Sequence, residues 1–370
     1  VGGRPAGVEG LAVKQFGDIF AGRRVLLTGH TGFKGSWLAL WLARLGASVT
    51  GYALAPTGER NHWRQLDLPV AHREGDLRDL AGLDAAFAAS RPEIVFHLAA
   101  QSLVRQSYRE PLDTWSVNLM GTANLLELCR RHPQVRAVVV VTTDKVYHNR
   151  EWAWGYRESD TLGGIDPYAA SKAAAELAAQ SYRQAFLEAR GILLATARAG
   201  NVIGGGDWSE DRLLPDLVRA QAAGQPLQVR SPRATRPWQH VLDCLSGYLL
   251  LGQRLLAGDA SCARAWNFGP AADDNRSVGA VLERMRAFWP ELGWVDADTA
   301  GPHEAALLGL DSAEARKLLG WAPVWRLDDA LRATAQWYRQ ALQGGAGLTH
   351  AQLADYIDCA AGAGAVWTSA

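Results

Sequence analysis

Net charge is what this chain most plainly lacks: Lys and Arg number 38, Asp and Glu number 38, and the two cancel. Without an excess of either sign there is no long-range field to gather nucleic acid or an anionic membrane, so any anion must be held by local groups. Cysteine is scarce and scattered. Cys129, Cys244, Cys262 and Cys359 form no C-x-x-C pair, which argues against a metal site of the zinc-finger kind and against a dense disulfide framework. A reducing cytoplasm is the expected setting. Arg, Asp or Gly interrupts every apolar stretch well short of the roughly 20 residues that cross a bilayer. The first residues also lack the basic-then-apolar design of a secretion signal. Internal repeats and low-complexity tracts are missing too. What remains is ordinary globular material, 48% apolar and 21% charged over 370 residues, enough for one large or two closely packed units. Fifteen tryptophans are many for this length. Most are expected to pack, since Trp buries its ring and hydrogen-bonds its N–H, with a minority lining a ligand cleft.

From Arg24 short apolar runs alternate with longer amphipathic segments, the pattern of βαβ units and a parallel sheet. Strands are expected at 25–28, 48–54, 94–98, 137–142 and 192–199. Helices are expected at 36–45, closed by Gly46, and at 118–131 and 168–187. The fold class is therefore α/β, a Rossmann-type doubly wound parallel sheet with a smaller, mixed α/β C-terminal substrate domain. Residues 15–200, rejoined by 237–268, form the expected dinucleotide-binding domain. Segments 201–236 and 269–358, where Gly204 to Gly206, Pro215, Pro226, Pro232 and Pro237 break the alternation, form the substrate region. Residues 359–370 are expected to be a flexible tail.

Gly29, Gly32 and Gly35 stand in a G-x-x-G-x-x-G spacing between the first strand and the first helix. Glycines let the chain turn tightly and approach a pyrophosphate, while the helix that follows offers unpaired N–H groups and a positive dipole end. With Thr31, Phe33 and Lys34 between and beside them, they make a candidate cofactor cradle. The acidic residue that usually follows about 20 positions on, to hold the adenosine ribose, is missing. The second strand runs out in Gly51-Tyr52-Ala53-Leu54, Glu59 lies too far into the loop, and Arg60 favours a 2′-phosphate as readily, so this strand leaves NAD and NADP both open. Asp76, followed by Leu77, offers a carboxylate for the adenine amino group. Ala99, Ala100 and Gln101 follow another strand, with small residues where a flat cofactor can lie. His97 reads as a packed histidine.

Tyr168 and Lys172 lie four apart in a helical stretch behind Pro167, which puts phenol and ammonium one turn apart on one face. A neighbouring cation favours the phenolate, so Tyr168 is a candidate base for removing a hydroxyl proton as hydride leaves, and Lys172 a candidate holder of the cofactor ribose. Thr143, Asp144 and Lys145 follow the 137–142 strand, where the ends of parallel strands face the ligand crevice. Thr143 suits polarising a hydroxyl or keto oxygen. Asp144, if protonated, suits donating to a leaving hydroxyl, and Lys145 is a candidate base if desolvation depresses it.

These residues, with Thr28-Gly-His-Thr-Gly-Phe-Lys-Gly-Ser-Trp-Leu38, Asn149-Arg-Glu-Trp-Ala-Trp-Gly-Tyr-Arg157, Ala199-Gly-Asn-Val-Ile-Gly-Gly-Gly-Asp-Trp208 and Arg236-Pro-Trp-Gln-His-Val241, give the chain its likeness. It resembles the extended short-chain dehydrogenase/reductase family over nearly its whole length, and within it the branch of 4,6-dehydratases that act on CDP-glucose. The resemblance implies NAD as a recycled cofactor, Tyr168, Lys172 and Thr143 at C4 of the sugar, and Asp144 as the acid at C6. Lys145 stands where many sugar-nucleotide dehydratases carry a glutamate, and is similar in this to the CDP-glucose branch. Substrate contacts are implied for Asn201, Asp207, Trp208, Arg212 and Arg236. His303, in Pro302-His-Glu-Ala305 before an expected strand ending at Asp311, is placed on the same side. The family's habit also implies a homodimer through the 118–131 and 168–187 helices, whose apolar stripes exceed what one sheet face needs. A 4-epimerase, a reductase and a non-catalytic nucleotide sensor remain the alternatives.

Overall fold

The computed structural model describes residues 13–58, 60–297, 305–345 and 348–369. Among them twelve strands occur: β1 (Arg24–Thr28), β2 (Ser48–Ala53), β3 (Ala71–Glu74), β4 (Ile94–His97), β5 (Ala137–Val141), β6 (Leu193–Ala199), β7 (Asn201–Ile203), β8 (Leu227–Val229), β9 (Thr235–His240), β10 (Ala265–Phe268), β11 (Asn275–Ser277) and β12 (Trp294–Asp296). Seven form one sheet in the order β10-β6-β5-β4-β1-β2-β3. Every neighbouring pair in it is parallel. The chain runs outward through β1, β2 and β3 and then crosses back to β4, so β1 and β4 flank the reversal of strand order. A crevice opens there beyond the carboxyl ends of the strands.

Alternating side chains serve two cores, one on each face. Val25, Leu27, Ile94, Phe96, Val139 and Val141 point into the larger one. Leu26, Val95, Val138 and Val140 point into the other. A parallel sheet buried on both faces reads as unbroken Val/Ile/Leu runs, which is why these strands were legible. β3, by contrast, is an edge strand whose four residues are all exposed, and Ala-His-Arg-Glu carries no apolar signal. The helix expected at 36–45 begins earlier, as Phe33–Arg44, because Gly32 already leaves the loop in extended conformation. Pro167 opens the Pro167–Tyr182 helix, where Asp166 accepts the N–H of Ala169.

After β6 the smaller region is built from the antiparallel pair β11–β9, the parallel pair β9–β7, and the separate parallel pair β12–β8. The Val241–Leu256 helix returns the chain to the large sheet, which β10 completes. Two expectations are corrected. The strand expected to end at Asp311 is a single bridge, Tyr156 to Leu310. The expected flexible tail is packed: the Leu348–Gly362 helix runs into it, and Trp367 is buried, stacked on Phe16 with ring centroids 5.1 Å apart. An Ala/Gly-rich composition concealed one aromatic anchor. No helix among the described residues is long and apolar enough to cross a membrane.

Candidate active site

One cleft of about 1280 Å³ runs along the carboxyl ends of the strands. At one end lies the glycine loop. Gly29 has φ +75, and a Cβ there would stand 2.6 Å from the Ala99 nitrogen; at Gly35 it would stand 2.1 Å from the Gly29 carbonyl oxygen. Both positions admit only glycine, because the loop packs directly on the chain after β4 and on its own first helical turn, and that loop and turn line the cleft. This cradle fits a dinucleotide pyrophosphate. Thr31, Gly32, Phe33, Lys34, Leu77, Ala99, Ala100 and Gln101 line the same end of the cleft. Asp76 lines it too, but already paired: Arg78 Nη2 lies 2.5 Å from its Oδ2 and Arg78 Nη1 lies 2.6 Å from Asp113. The hydrogen bond from Arg78 holds the Asp76 carboxyl below its ordinary value. Arg78 was not singled out from sequence, because a charged loop residue carries no periodic signal. His97 is a packed histidine, held between the Thr28 and Thr122 hydroxyls at 2.7 and 3.0 Å and pushed down to about 3 by burial and by Lys172.

Midway along the cleft the five candidate catalytic side chains, Thr143, Asp144, Lys145, Tyr168 and Lys172, converge. Lys172 donates from Nζ to the Val141 carbonyl at 2.9 Å, at the very end of β5. Burial pushes it down to about 8, against the opposing pull of Glu176. Tyr168 is raised, chiefly by burial and also by Asp144 and Asp166, while a hydrogen bond with Thr143 and the charge of Arg212 act the other way. The Lys172 ammonium, expected one turn from the phenol, is turned to the Val141 carbonyl at the end of β5. The Thr143 hydroxyl donates to Asp144 Oδ1 at 3.1 Å, and Lys145 Nζ lies 4.0 Å from the same oxygen. Asp144 Oδ2 is buried with no partner among the described residues. A buried, unpartnered carboxylate oxygen costs free energy unless something else comes to meet it, so this is where the site asks for a ligand hydroxyl.

Beyond these residues the cleft continues past Asn201, Asp207, Arg212 and Arg236 to the β8 strand. Arg212 Nε faces Asp207 Oδ2 at 3.7 Å and its Nη2 donates to Ser102 at 3.2 Å. Arg236 is buried and donates from Nη1 to the Thr235 carbonyl at 2.8 Å. Trp208, between the cleft-lining Asp207 and Ser209, packs edge-on against Tyr338 at 5.2 Å, with the Arg60 guanidinium 5.4 Å above its ring. His303 lies outside the described residues. An ion pair missed from sequence, Arg105 to Asp211 at 2.5 Å, spans the cleft between the large sheet's side and the loop before the Leu213–Ala222 helix.

The profile of the NAD dependent epimerase/dehydratase family matches residues 25–269, and the chain belongs to that family. Within it the chain is similar to CDP-glucose 4,6-dehydratase of Salmonella typhimurium, 46% identical over 88% of this chain and 93% of that protein. dTDP-glucose 4,6-dehydratase of Streptomyces griseus is 30% identical over 85% of this chain and 94% of its own length. Among solved structures, the UDP-glucose 4-epimerase of Thermus thermophilus in complex with NAD aligns with a TM-score of 0.75 at 27% identity, covering 86% of this chain and 99% of that one.

Proposed function

We propose that the chain binds NAD and converts CDP-D-glucose to CDP-4-dehydro-6-deoxy-D-glucose, a step of deoxysugar biosynthesis. The observation that carries this reading is the convergence of Tyr168 and Thr143 with the buried, unpartnered Asp144 Oδ2, all lining one cleft beside the glycine cradle. An epimerase needs the tyrosine and lysine; a dehydratase also needs an acid at C6 and a base at C5. The likeness to the Salmonella enzyme supports CDP-glucose as the substrate.

Gly29, Gly32 and Gly35 would hold the NAD pyrophosphate, Asp76 its adenine and Lys172 its nicotinamide ribose. When bound, NAD supplies the acceptor for the C4 hydride and returns it to C6. Tyr168 takes the proton of the C4 hydroxyl, with Thr143 and Arg212 favouring its phenolate. The ketone at C4 acidifies the C5 proton, which Lys145, or a water it holds, removes. Asp144 gives a proton to the C6 hydroxyl, which leaves as water, and once hydride is back at C6 a proton is returned to C5 from the Lys145 side, exchangeable with solvent. Asn201 and Arg236 bind the diphosphate, where the planar guanidinium makes a fork that Lys cannot. Asp207 and Arg212 hold the nucleotide side.

The same reading includes a homodimer through the Gly121–Arg131 and Pro167–Tyr182 helices, supported by the exposure of Met120, Leu177 and Phe186 on them or beside them. A cytoplasmic setting is supported by four free thiols.

Proton NMR of the enzyme with NAD and CDP-glucose in heavy water tests the reaction. A new C6 methyl signal with deuterium at C5, strongest among CDP-, dTDP-, GDP- and UDP-glucose, is the expected result. Galactose-type signals without a methyl group would make the chain an epimerase instead.

A further inference from the structure

Behind the active site lies a charged pair that the reaction does not use. Glu176, one helical turn beyond Lys172, and Arg198, on β6, are both buried and face each other bidentately: Arg198 Nε to Oε1 at 3.0 Å and Nη2 to Oε2 at 2.9 Å. A buried ion pair is a poor source of stability, because desolvation of both charges offsets most of their attraction. Its other contacts suggest what it does. The Thr142 hydroxyl donates to Glu176 Oε1 at 2.5 Å, and Thr196 donates to Oε2 at 2.7 Å. On the other side Arg198 Nη1 donates to the Tyr147 hydroxyl oxygen at 2.8 Å, and that hydroxyl donates in turn to Asn267 Oδ1 at 2.6 Å.

Thr142 immediately precedes Thr143, and Tyr147 follows the short helical turn Asp144–Val146. The segment that carries the proton chemistry is thus held at both ends by one rigid pair. The carboxylate takes the residue before it and the guanidinium takes the residue after it. Lys172 reaches the same strand end through the Val141 carbonyl. Both carboxylate oxygens and all three guanidinium nitrogens are engaged within the protein, Arg198 Nη1 also reaching the Glu158 carbonyl at 3.1 Å, so the pair acts through its neighbours.

Resting on the reaction proposed above, we infer that Glu176 and Arg198 are positioning residues that bracket Thr143, Asp144 and Lys145 and set the reach of Asp144 and Lys145 toward C6 and C5. Misplacement of a catalytic group by about 1 Å costs on the order of a hundredfold in rate while leaving binding intact. The bracket therefore appears in kcat and not in KM.

Thr142→Val and Tyr147→Phe each remove one arm while leaving the ion pair whole, which avoids the unpaired buried charge that Glu176→Gln would leave on Arg198. Circular dichroism establishes that each is folded. The expected result is a fall in kcat of about tenfold for each, with KM for the sugar nucleotide within about twofold of the parent. C5 deuterium incorporation falls with kcat, and Thr142→Ser, which restores the hydroxyl, recovers the rate. A kcat within about twofold of the parent in both folded variants, or a loss carried by KM alone, overturns the bracket. The comparison is a ratio of variant to parent on whichever sugar nucleotide the parent turns over. Failure of CDP-glucose as substrate would therefore show in the parent, and failure of the bracket only in the ratio.

Discussion

In the reaction proposed above, Asp144 is the side chain on which the distinction between dehydration and simple oxidation turns. Its Oδ1 is held by Thr143 and approached by Lys145, and its Oδ2 is buried with no partner among the described residues. Replacing it by Asn keeps shape and one acceptor but removes the transferable proton. Asp144→Asn is expected to lower the rate of methyl formation by about 10² to 10⁴ while C4 oxidation, followed as transient absorbance of reduced cofactor at 340 nm, persists. Loss of both in a folded variant would show that Asp144 acts on C4 or on binding. At this scale the sequence was informative where chemistry is local. Thr143 to Lys145 and Tyr168 with Lys172 stand in short recognisable runs, and the chain folds them onto one strand end and one helix face. It was uninformative where a role is set by partners far away. Glu176 meets Thr196 and Arg198 from 20 and 22 positions off, and nothing in the sequence around it marks the encounter.

Among the elements, the helices after β4 and around Tyr168 face two ways. Leu125, Leu126, Leu128 and Ala179 join the core under the sheet, while Leu177 is 56% exposed and Phe186 43% exposed on the outer side. If these outer faces pair two chains, Leu177→Arg places two charges against each other at the contact. Sedimentation velocity is expected to show the parent at twice the 40.0 kDa chain mass and the variant at the chain mass. A parent already at the chain mass would dismiss the dimer. Elements also show why boundaries were the weaker part of the sequence reading. Central strands announce themselves by unbroken apolar runs buried on both faces, whereas β3 and the strands of the smaller region are short, polar or exposed. The C-terminal residues were misread because helix-packing Ala and Gly look like loop material until Trp367 is seen against Phe16, Trp41 and Tyr356.

Taken whole, the molecule buries titratable groups whose effects on stability oppose one another. Burial pushes His62, His97 and His240 down to about 3, and His30 to about 4. Each favours folding above the unfolded value near 6.5, and that contribution is lost as pH falls toward the folded value. Burial pushes Glu158 and Asp243 up to about 7. Their contribution is full below pH about 4 and is lost as pH rises through 7. Maximum stability is expected near pH 6.5. Asp243 accepts from the Val324 and Trp325 N–H groups and the Tyr356 hydroxyl on Oδ1 alone. An amide at this position can keep those bonds without titrating, so the Tm of Asp243→Asn relative to the parent should improve from pH 5 to pH 8. A difference in Tm that does not vary with pH would contradict the assignment. The same burial has an optical side. Of fifteen tryptophans only Trp154 is exposed, and it leans on Trp152, over whose ring the cleft-lining Arg150 is placed at 5.5 Å. The indole emission of this chain is therefore expected to come mostly from buried and half-buried rings, with Trp154, two rings away from a cleft-lining guanidinium, as its most solvent-facing contributor.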